Sequence, residues 1–177
     1  MTHNDPFGQP TAWRPNETMY RDRIGDIGYI GCIVEIGVDF GFSFFTFARD
    51  FPEARVVGID NFSYNTGIRQ REHLNEHLGT FPNAIVFEME SGEARKAWND
   101  PNLYLDIDIL HIDADHKYES VKRDFELWES VVRPGGVVLF HDIVAFKDDV
   151  GRFFDELEGK KDRIEEGAGL GIWWKDE

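Results

Sequence analysis

The sequence is poor in positive charge, in cysteine and in long hydrophobic runs. Its 19 Lys and Arg stand against 34 Asp and Glu, and the formal net charge of -15 opposes binding to nucleic acid or to an anionic membrane. A single cysteine, Cys32, excludes both an internal disulfide and a cysteine zinc site. No apolar run approaches the roughly 18 residues of a spanning helix, and the first residues lack a signal-peptide pattern. We therefore expect a cytoplasmic protein that acts on a small molecule.

The remaining composition is that of a globular protein. With 177 residues, 41% of them hydrophobic and 14% aromatic, the chain is expected to fold as one domain with a sizeable core. Three prolines within residues 1–16 indicate an extended arm, and a short helix is predicted over residues 16–24. We therefore divide the chain into an N-terminal arm with a short helix, residues 1–30, and a main domain, residues 31–177.

Short apolar segments alternate along the chain with amphipathic helices, which predicts a mostly parallel sheet. The clearest helix places Tyr118, Val121, Phe125, Trp128 and Val132 on one face, and a type II turn at residues 133–136 is expected to end it. Residues 150–157 predict one more helix. The parallel strands are predicted at Cys32–Ile36, 56–59, 85–89, Ile107–Ile112 and 137–140.

The tail of the chain, residues 163–175, predicts two strands around a glycine-rich turn. Two strands this close in sequence cannot be parallel, because a parallel pair needs a crossover of about a dozen residues or more. The sheet is therefore expected to end in an antiparallel hairpin.

Two glycines follow the first strand at the point where a helix is expected to begin. Gly37 and Gly41 allow a tight turn and a close approach of the backbone to a ligand, with Glu35 before the turn and Ser43 as the expected helix cap. Glycine-rich turns between a strand and a helix bind NAD, FAD, nucleotides or S-adenosylmethionine. This turn alone therefore leaves the ligand open.

Acidic residues follow all the predicted parallel strands, at the edge where ligands bind in an open parallel sheet. Asp60 comes 25 residues after Glu35, the spacing at which an acid meets the ribose hydroxyls of a bound ligand; a helix cap or a solvated acid is the alternative. Glu90 and Ser91 are placed to reach an adenine ring, although Ser91 is also a suitable helix cap. The strand-end acids are Glu35, Asp60, Glu90, Asp113 and Asp142.

Acids and histidines concentrate around the ends of the fourth and fifth strands. Asp113, His141 and Asp142 are candidate ligands of a cation such as Mg²⁺ or Mn²⁺, and the imidazole suits Mn²⁺ better. Alternatively, His116 or His141 acts as a general base, because histidine titrates near working pH. Asp115 is the expected N-cap of the long helix that follows.

Four motifs, in this order, resemble those of the class I S-adenosylmethionine-dependent methyltransferases. Within that family they look most like the small O-methyltransferases related to macrolide-sugar methyltransferases and cephalosporin hydroxylase-like proteins. The resemblance implies an α/β fold: a Rossmann-like, doubly wound seven-stranded sheet, mostly parallel, with an antiparallel C-terminal hairpin. The motifs are Val34-Glu35-Ile36-Gly37 with Gly41 and Ser43, Val57-Gly58-Ile59-Asp60, the run Ile-Asp-Ala-Asp-His-Lys-Tyr-Glu at 112–119, and the run Arg-Pro-Gly-Gly-Val-Val-Leu-Phe-His-Asp at 133–142.

The resemblance also implies roles for individual residues. Metal-dependent relatives have an acid at the position of Asp113 and an acidic or amide pair where this chain has His141 and Asp142, so a metal-free mechanism with a histidine base stays open. Asp39 stands where many relatives have a glycine. The residues implied to form the S-adenosylmethionine pocket are Glu35, Gly37, Val38, Asp39, Gly41, Ser43, Asp60, Asn61, Glu90, Ser91 and Asp113.

The implied activity is methyl transfer to a hydroxyl of a small molecule such as a sugar, a phenol or a natural product, with Asp113, His116 and His141 as candidate catalytic residues. One alternative is a nicotinamide-dependent oxidoreductase, although residues 37–42 lack the Gly-x-Gly-x-x-Gly turn that it needs. The other is a non-catalytic cofactor-binding module. A cover for the acceptor site is expected from the arm, from residues 61–79, or from a second subunit of a homo-oligomer.

Overall fold

A single mixed sheet positions every other element of the fold. In the computed structural model, which describes residues 24, 27–63, 67–100 and 105–177, seven strands pair in the order β3-β2-β1-β4-β5-β7-β6. The strands are β1 (Cys32–Ile36), β2 (Arg55–Asp60), β3 (Ala84–Glu88), β4 (Ile107–Ile112), β5 (Val132–His141), β6 (Lys160–Ile164) and β7 (Leu170–Trp174).

Helices connect the parallel strands and cover both faces of the sheet. A 3₁₀ turn (Glu129–Val131) follows the fourth helix, and a π-helical segment (Lys147–Gly151) runs directly into the fifth. Among the described residues, none of the helices is long and apolar enough to cross a membrane. The helices are α1 (Phe42–Asp50), α2 (Gly67–Leu78), α3 (Ser91–Ala97), α4 (Tyr118–Trp128) and α5 (Arg152–Glu156).

The strand pairing confirms the predicted fold class. β1 pairs in parallel with β2 and β4, β3 extends the sheet beyond β2, and β5 extends it beyond β4. β7 pairs antiparallel with both β5 and β6, which is the predicted hairpin. The strand order reverses between β1 and β4, and the crevice outside the carboxyl ends of strands at such a reversal is where ligands bind.

The core lies in two layers, one on each face of the sheet. Phe44, Phe45 and Phe47 of α1 are fully buried against one face, because three apolar positions of this short helix point inward together. On the other face Trp128 of α4 packs edge to face on Trp98, with ring centroids 5.6 Å apart. Cys32 is buried in β1 as expected, and burial raises the pKa of its thiol to about 12.

The strand β5 begins earlier than its sequence predicts. Ile107 of β4 pairs with Val132, but Ile109 pairs with Val137, so residues 133–136 form a bulge within β5 rather than a turn ahead of it. Gly135 has a φ of 71°, the left-handed conformation that the Pro-Gly-Gly sequence favours. The hairpin likewise begins at Lys160 and not at Arg163.

Two of the predicted helix caps are wrong because their side chains have other partners. Gly41, and not Ser43, is the N-cap of α1, since the Ser43 hydroxyl donates to the buried Glu35 carboxylate. Glu90 is the N-cap of α3, while the Ser91 hydroxyl accepts a hydrogen bond from the indole of Trp128 at 3.0 Å.

The predicted cap of α4 is also wrong. Lys117 occupies the N-cap position, and the Asp115 carboxylate accepts a hydrogen bond from Ser120. The amide of Tyr118 in the first turn donates instead to Asp149, which comes 31 residues later and approaches from the π-helical segment. A distant carboxylate thus satisfies a helix-terminal amide, a contact that no local pattern indicates.

One buried carboxylate fixes the entry of the chain into the sheet. Asp108 of β4 accepts hydrogen bonds from the amides of Gly31 and Cys32, both at 2.8 Å, and pairs with the Arg133 guanidinium. Arg133 also donates to the carbonyl of Ile27 at 2.6 Å. The chain therefore contacts the domain before residue 31, whereas the predicted arm over residues 1–16 and its short helix, except Ile24, lie outside the described residues.

We expect Asp108→Ala to lower the free energy of unfolding by about 2–4 kcal/mol, because it leaves two strand amides and the Arg133 guanidinium without their acceptor. Urea denaturation followed by circular dichroism measures this change. The matched control is Asp176→Ala, the same change at an exposed position, with an expected change within about 0.5 kcal/mol. Equal losses in the two variants would contradict the anchoring role of Asp108.

Candidate active site at the carboxyl edge of the sheet

The turn after β1 has the conformation that its glycines predict. Gly37 and Gly41 have φ values of 89° and 82°, and Asp39 between them has a φ of 49°. Aspartate is among the few residues that adopt this left-handed conformation at low cost, so the absence of a middle glycine does not prevent the turn. Gln70 of α2 donates to the Asp39 carboxylate and ties the turn to that helix.

Gly37 brings the turn into direct contact with the end of β4. A Cβ atom at this position would lie 2.2 Å from the carbonyl oxygen of Asp113, and the amide of Asp113 donates to the carbonyl of Ile36 at 2.9 Å. Only glycine allows this approach. The turn and the strand-end acid are therefore held at a fixed position relative to each other.

Asp60, at the end of β2, supports the turn from the other side. Its Oδ2 accepts hydrogen bonds from the amides of Val38 and Asp39 at 2.8 and 2.9 Å, and its Oδ1 accepts from the amide of Phe62 at 2.7 Å. These bonds use three of the roughly four acceptor positions of a carboxylate. Asp60 is thus a structural part of the turn and retains capacity for one more donor.

Asn61 and Glu90 join the ends of β2 and β3. The side-chain amide of Asn61 donates to Glu90 at 2.7 Å, and both residues are exposed at this edge. Ser91 lies beside Glu90 but is bonded to Trp128, on the helix side. The structure therefore groups Asn61 and Glu90 near the turn, and the predicted contact of Ser91 with an adenine ring stays a prediction.

Glu35 is fully buried beneath the turn. Its Oε1 accepts from the Ser43 hydroxyl and lies 2.8 Å from Nδ1 of His111, while no hydrogen-bond donor among the described residues reaches its Oε2. Burial raises the pKa of the Glu35 carboxyl, against the hydrogen bond from His111, which lowers it. The acid predicted before the turn thus lies behind it, with one oxygen open to a further donor.

The acids and histidines predicted at the ends of β4 and β5 meet in one cluster. His116 Nε2 lies 3.0 Å from an oxygen of Asp142 and 3.6 Å from one of Asp113. His141 Nδ1 lies 3.3 Å from Asp113 and 3.2 Å from Asp142. Two carboxylates and two imidazoles, about 30 residues apart in the sequence, therefore share one small volume.

The side chains of the cluster change one another's pKa values. Hydrogen bonding to Asp113 and Asp142 raises the pKa of His116 to about 9. Burial raises the pKa of Asp142, but the hydrogen bonds from His116 and His141 and the charge of His141 outweigh it, and the pKa is about 2. Burial also raises the pKa of Asp113, but the charge of His141 and the contacts with His116 and His141 together outweigh it and hold this pKa well below its usual range. At neutral pH the two acids are ionised and His116 is protonated.

The sequence did not indicate one aromatic contact of the cluster. Phe146 stacks on the His116 ring with centroids 4.3 Å apart and planes at 15°. Phe146 lies in the irregular segment after β5, where no periodicity marks its direction. Asp142, at the start of this segment, has a φ of 66° and donates its amide to the carbonyl of Gly169 at 2.9 Å. The segment after β5 therefore both completes the cluster and orients His116.

The donor atoms of Asp113, His141 and Asp142 lie within 4.8 Å of one another, which is the spacing that a shared cation needs. However, the protonated His116 already lies against oxygens of both acids and places its positive charge where a metal would sit. A cation on the same oxygens would have to displace this ring. The binding of Mg²⁺ or Mn²⁺ by Asp113, His141 and Asp142 therefore requires His116 to move, and the predicted metal site stays a prediction.

A comparison with known proteins places this chain in a family. The family model described as "Methyltransferase domain" matches residues 34–143, which is more than half of the 177-residue chain. The chain is also 26% identical over 196 aligned residues to the uncharacterized protein y4gI of Sinorhizobium fredii. That alignment covers 98% of this chain but only 21% of the relative, so the chain spans about a fifth of that protein's length.

Solved structures with the same fold include two O-methyltransferases. TomG of Streptomyces achromogenes, an enzyme of tomaymycin synthesis in complex with S-adenosylmethionine, superposes with a TM-score of 0.72 and 19% identity, over 97% of this chain and 85% of that one. An O-methyltransferase of Bacillus cereus in complex with S-adenosylhomocysteine gives a TM-score of 0.69 and 18% identity, over 93% of this chain and 82% of that one. At these identities the likeness concerns the fold.

The family match covers the glycine turn, the pair Asn61 and Glu90, and the cluster of acids and histidines at the ends of β4 and β5. The strand order of the structure, with its antiparallel end, agrees with that match. The chain belongs to the methyltransferase-domain family, within the class I S-adenosylmethionine-dependent methyltransferases.

Proposed function

We propose that this domain, residues 31–177, transfers a methyl group from S-adenosylmethionine to a hydroxyl oxygen of a small molecule. The observation that carries the proposal is the contact of Gly37 with the Asp113 carbonyl, because it places the nucleoside-binding turn directly against the cluster of acids and histidines. The O-methyltransferases that share the fold, one with S-adenosylmethionine and one with S-adenosylhomocysteine, support this assignment.

Several features of the turn suit this cofactor. Gly37 and Gly41 hold the turn in the left-handed conformation that a tight nucleoside-binding turn needs, and Asp60 retains an acceptor position for a ribose hydroxyl. The buried Glu35 Oε2 has no donor among the described residues, and an ammonium group, or a water that it holds, would supply one. Asn61 and Glu90 lie at the adjoining strand ends, where an adenine would be expected.

Proton removal from the acceptor is the task of the cluster. An alcohol is a weak nucleophile until its proton is accepted. Of the two ionised acids in the cluster, Asp113 is the one whose backbone contacts the turn. His116 carries a proton at neutral pH, so it places a positive charge beside Asp113 and Asp142 rather than acting as the base. The hydroxyl donates to the Asp113 carboxylate, which takes its proton as the carbon–oxygen bond forms.

When bound, S-adenosylmethionine supplies the methyl group: the carbon–oxygen bond forms as the carbon–sulfur bond breaks, and the sulfur retains the electron pair. The protein has to hold the hydroxyl in line with that carbon and exclude water. The non-catalytic module and the nicotinamide oxidoreductase remain the rival functions, and the experiments below separate them.

The first experiment tests the cofactor. We expect calorimetry to show binding of S-adenosylmethionine and S-adenosylhomocysteine but not of NADH. Asp60→Asn should weaken the affinity for both S-adenosyl compounds by about tenfold, because it removes a charged acceptor that serves the turn and the ribose. Asp162→Asn, the same change at the far edge of the sheet, is the control and should leave the affinity unaltered. Tight NADH binding would support the oxidoreductase instead.

The second experiment tests the base. Asp113→Asn should lower methyl transfer from labelled S-adenosylmethionine to a panel of hydroxyl compounds by at least about 100-fold, while the affinity for S-adenosylhomocysteine changes only a few-fold. Asp115→Asn, two residues later, exposed and bonded to Ser120, is the matched control. Undiminished transfer by Asp113→Asn would exclude Asp113 as the base, and cofactor binding without transfer to any acceptor would favour the non-catalytic module.

The third experiment tests the charge of His116. Its folded pKa of about 9 exceeds the usual 6.5, so protonation stabilises the fold fully below about pH 6.5 and this stabilisation is lost as the pH rises through 9. Measured in EDTA, His116→Gln should therefore cost about 2 kcal/mol more at pH 6 than at pH 9.5, a value reduced for the partial exposure of the ring. An equal cost at both values of pH would show that His116 is not protonated.

A further inference from the structure

Helix α2 carries a second group of metal-binding side chains, away from the cluster at the ends of β4 and β5. His73, Glu76 and His77 each offer one donor atom, and these atoms lie within 4.8 Å of one another. The group is not used by the proposed methyl transfer. It lies on one helix of 12 residues, so its geometry follows from the helix itself.

The helical spacing brings these three side chains together. His73 and His77 are four residues apart, and Glu76 is three residues after His73, so all three project from the same side of α2. The two imidazole rings are 4.3 Å apart between centroids, with planes at 38°. Two histidines at this spacing on a helix are an arrangement in which both rings bind one zinc ion.

The rings are already oriented by contacts of their own. His77 Nδ1 lies 2.8 Å from the backbone carbonyl of His73, and only a protonated nitrogen donates to a carbonyl, so Nε2 of neutral His77 carries the lone pair that a metal needs. Histidine ligands of metals commonly hold their second nitrogen in this way. Phe40 packs edge to face on His73 at 5.9 Å, and Phe45 packs on His77 at 6.2 Å.

The donor set identifies the class of ion. Two imidazoles and one carboxylate suit a borderline ion such as Zn²⁺ and are a poor match for Mg²⁺, which prefers oxygen ligands. The histidines are half-buried and Glu76 is exposed, so the ion can enter from solvent and keep water in its fourth position. We propose that His73, Glu76 and His77 of α2 form a binding site for Zn²⁺ or a similar divalent transition-metal ion.

The test uses the full chain after removal of metal. It is titrated with Zn²⁺ by calorimetry and, separately, with Co²⁺ by visible absorption, because the intensity of the Co²⁺ bands reports whether the ion is four-coordinate. We expect His77→Gln to weaken Zn²⁺ binding by at least about 100-fold and Glu76→Gln by about tenfold, because changes even in the surroundings of a ligand cost that much. Glu93→Gln, an exposed acid of α3, is the matched control for the lost charge and should bind as the native chain does.

A second control separates this site from the Asp113 cluster. Asp142→Asn should leave the Co²⁺ spectrum and the Zn²⁺ affinity of the α2 site unchanged, since Asp142 lies on another element. Circular dichroism checks that each variant is folded. Glu76 is exposed, so Glu76→Gln is expected to fold and to test the proposal even if a histidine variant does not fold. The proposal is overturned if the native chain binds no Zn²⁺, or if folded His77→Gln and Glu76→Gln variants bind it undiminished.

Discussion

The close approach of two backbones, at Gly37 and Asp113, is the constraint on which the rest of the site depends. No side chain fits between them, since a Cβ on Gly37 would lie 2.2 Å from the Asp113 carbonyl. The turn that follows β1 therefore cannot move without moving the end of β4. Asp60 limits the turn from the opposite side through the amides of Val38 and Asp39. The glycine turn and the cluster of acids and histidines are in this way parts of one edge of the sheet with a fixed geometry.

At the same edge of the sheet, buried carboxylates are stabilised by polar and charged neighbours. Glu35 is fully buried, and its burial is tolerated because Ser43 and His111 approach one of its oxygens. In the Asp113 cluster, acids and imidazoles balance each other, which holds the acids ionised and His116 protonated at neutral pH. Removing one member of either group leaves the others without their partner charge, which costs more than the lost bond alone.

Much of the fold could be predicted from the sequence, because the spacing of apolar residues along the chain follows which side chains are buried. The bounds of β1 and β4 agree with their apolar runs, and the short spacing of the tail strands is compatible only with a hairpin. The caps were mispredicted because capping residues also have long-range partners: Ser91 bonds to Trp128, and Asp149 reaches the start of α4. Local patterns contain no information about such contacts, nor about the stacking of Phe146 on His116.

The candidate site depends on a part of the chain made late in synthesis. Asp142 donates its amide to Gly169, and Val144 and Ala145 both donate to Ala168, so the turn of the last hairpin holds the segment that begins with Asp142 of the cluster. Translation proceeds from the N-terminus, and β1 with its glycine turn emerges more than a hundred residues earlier. The nascent domain can therefore form its glycine turn well before its cluster of acids and histidines, which is complete only when β7 has left the ribosome and paired with β5.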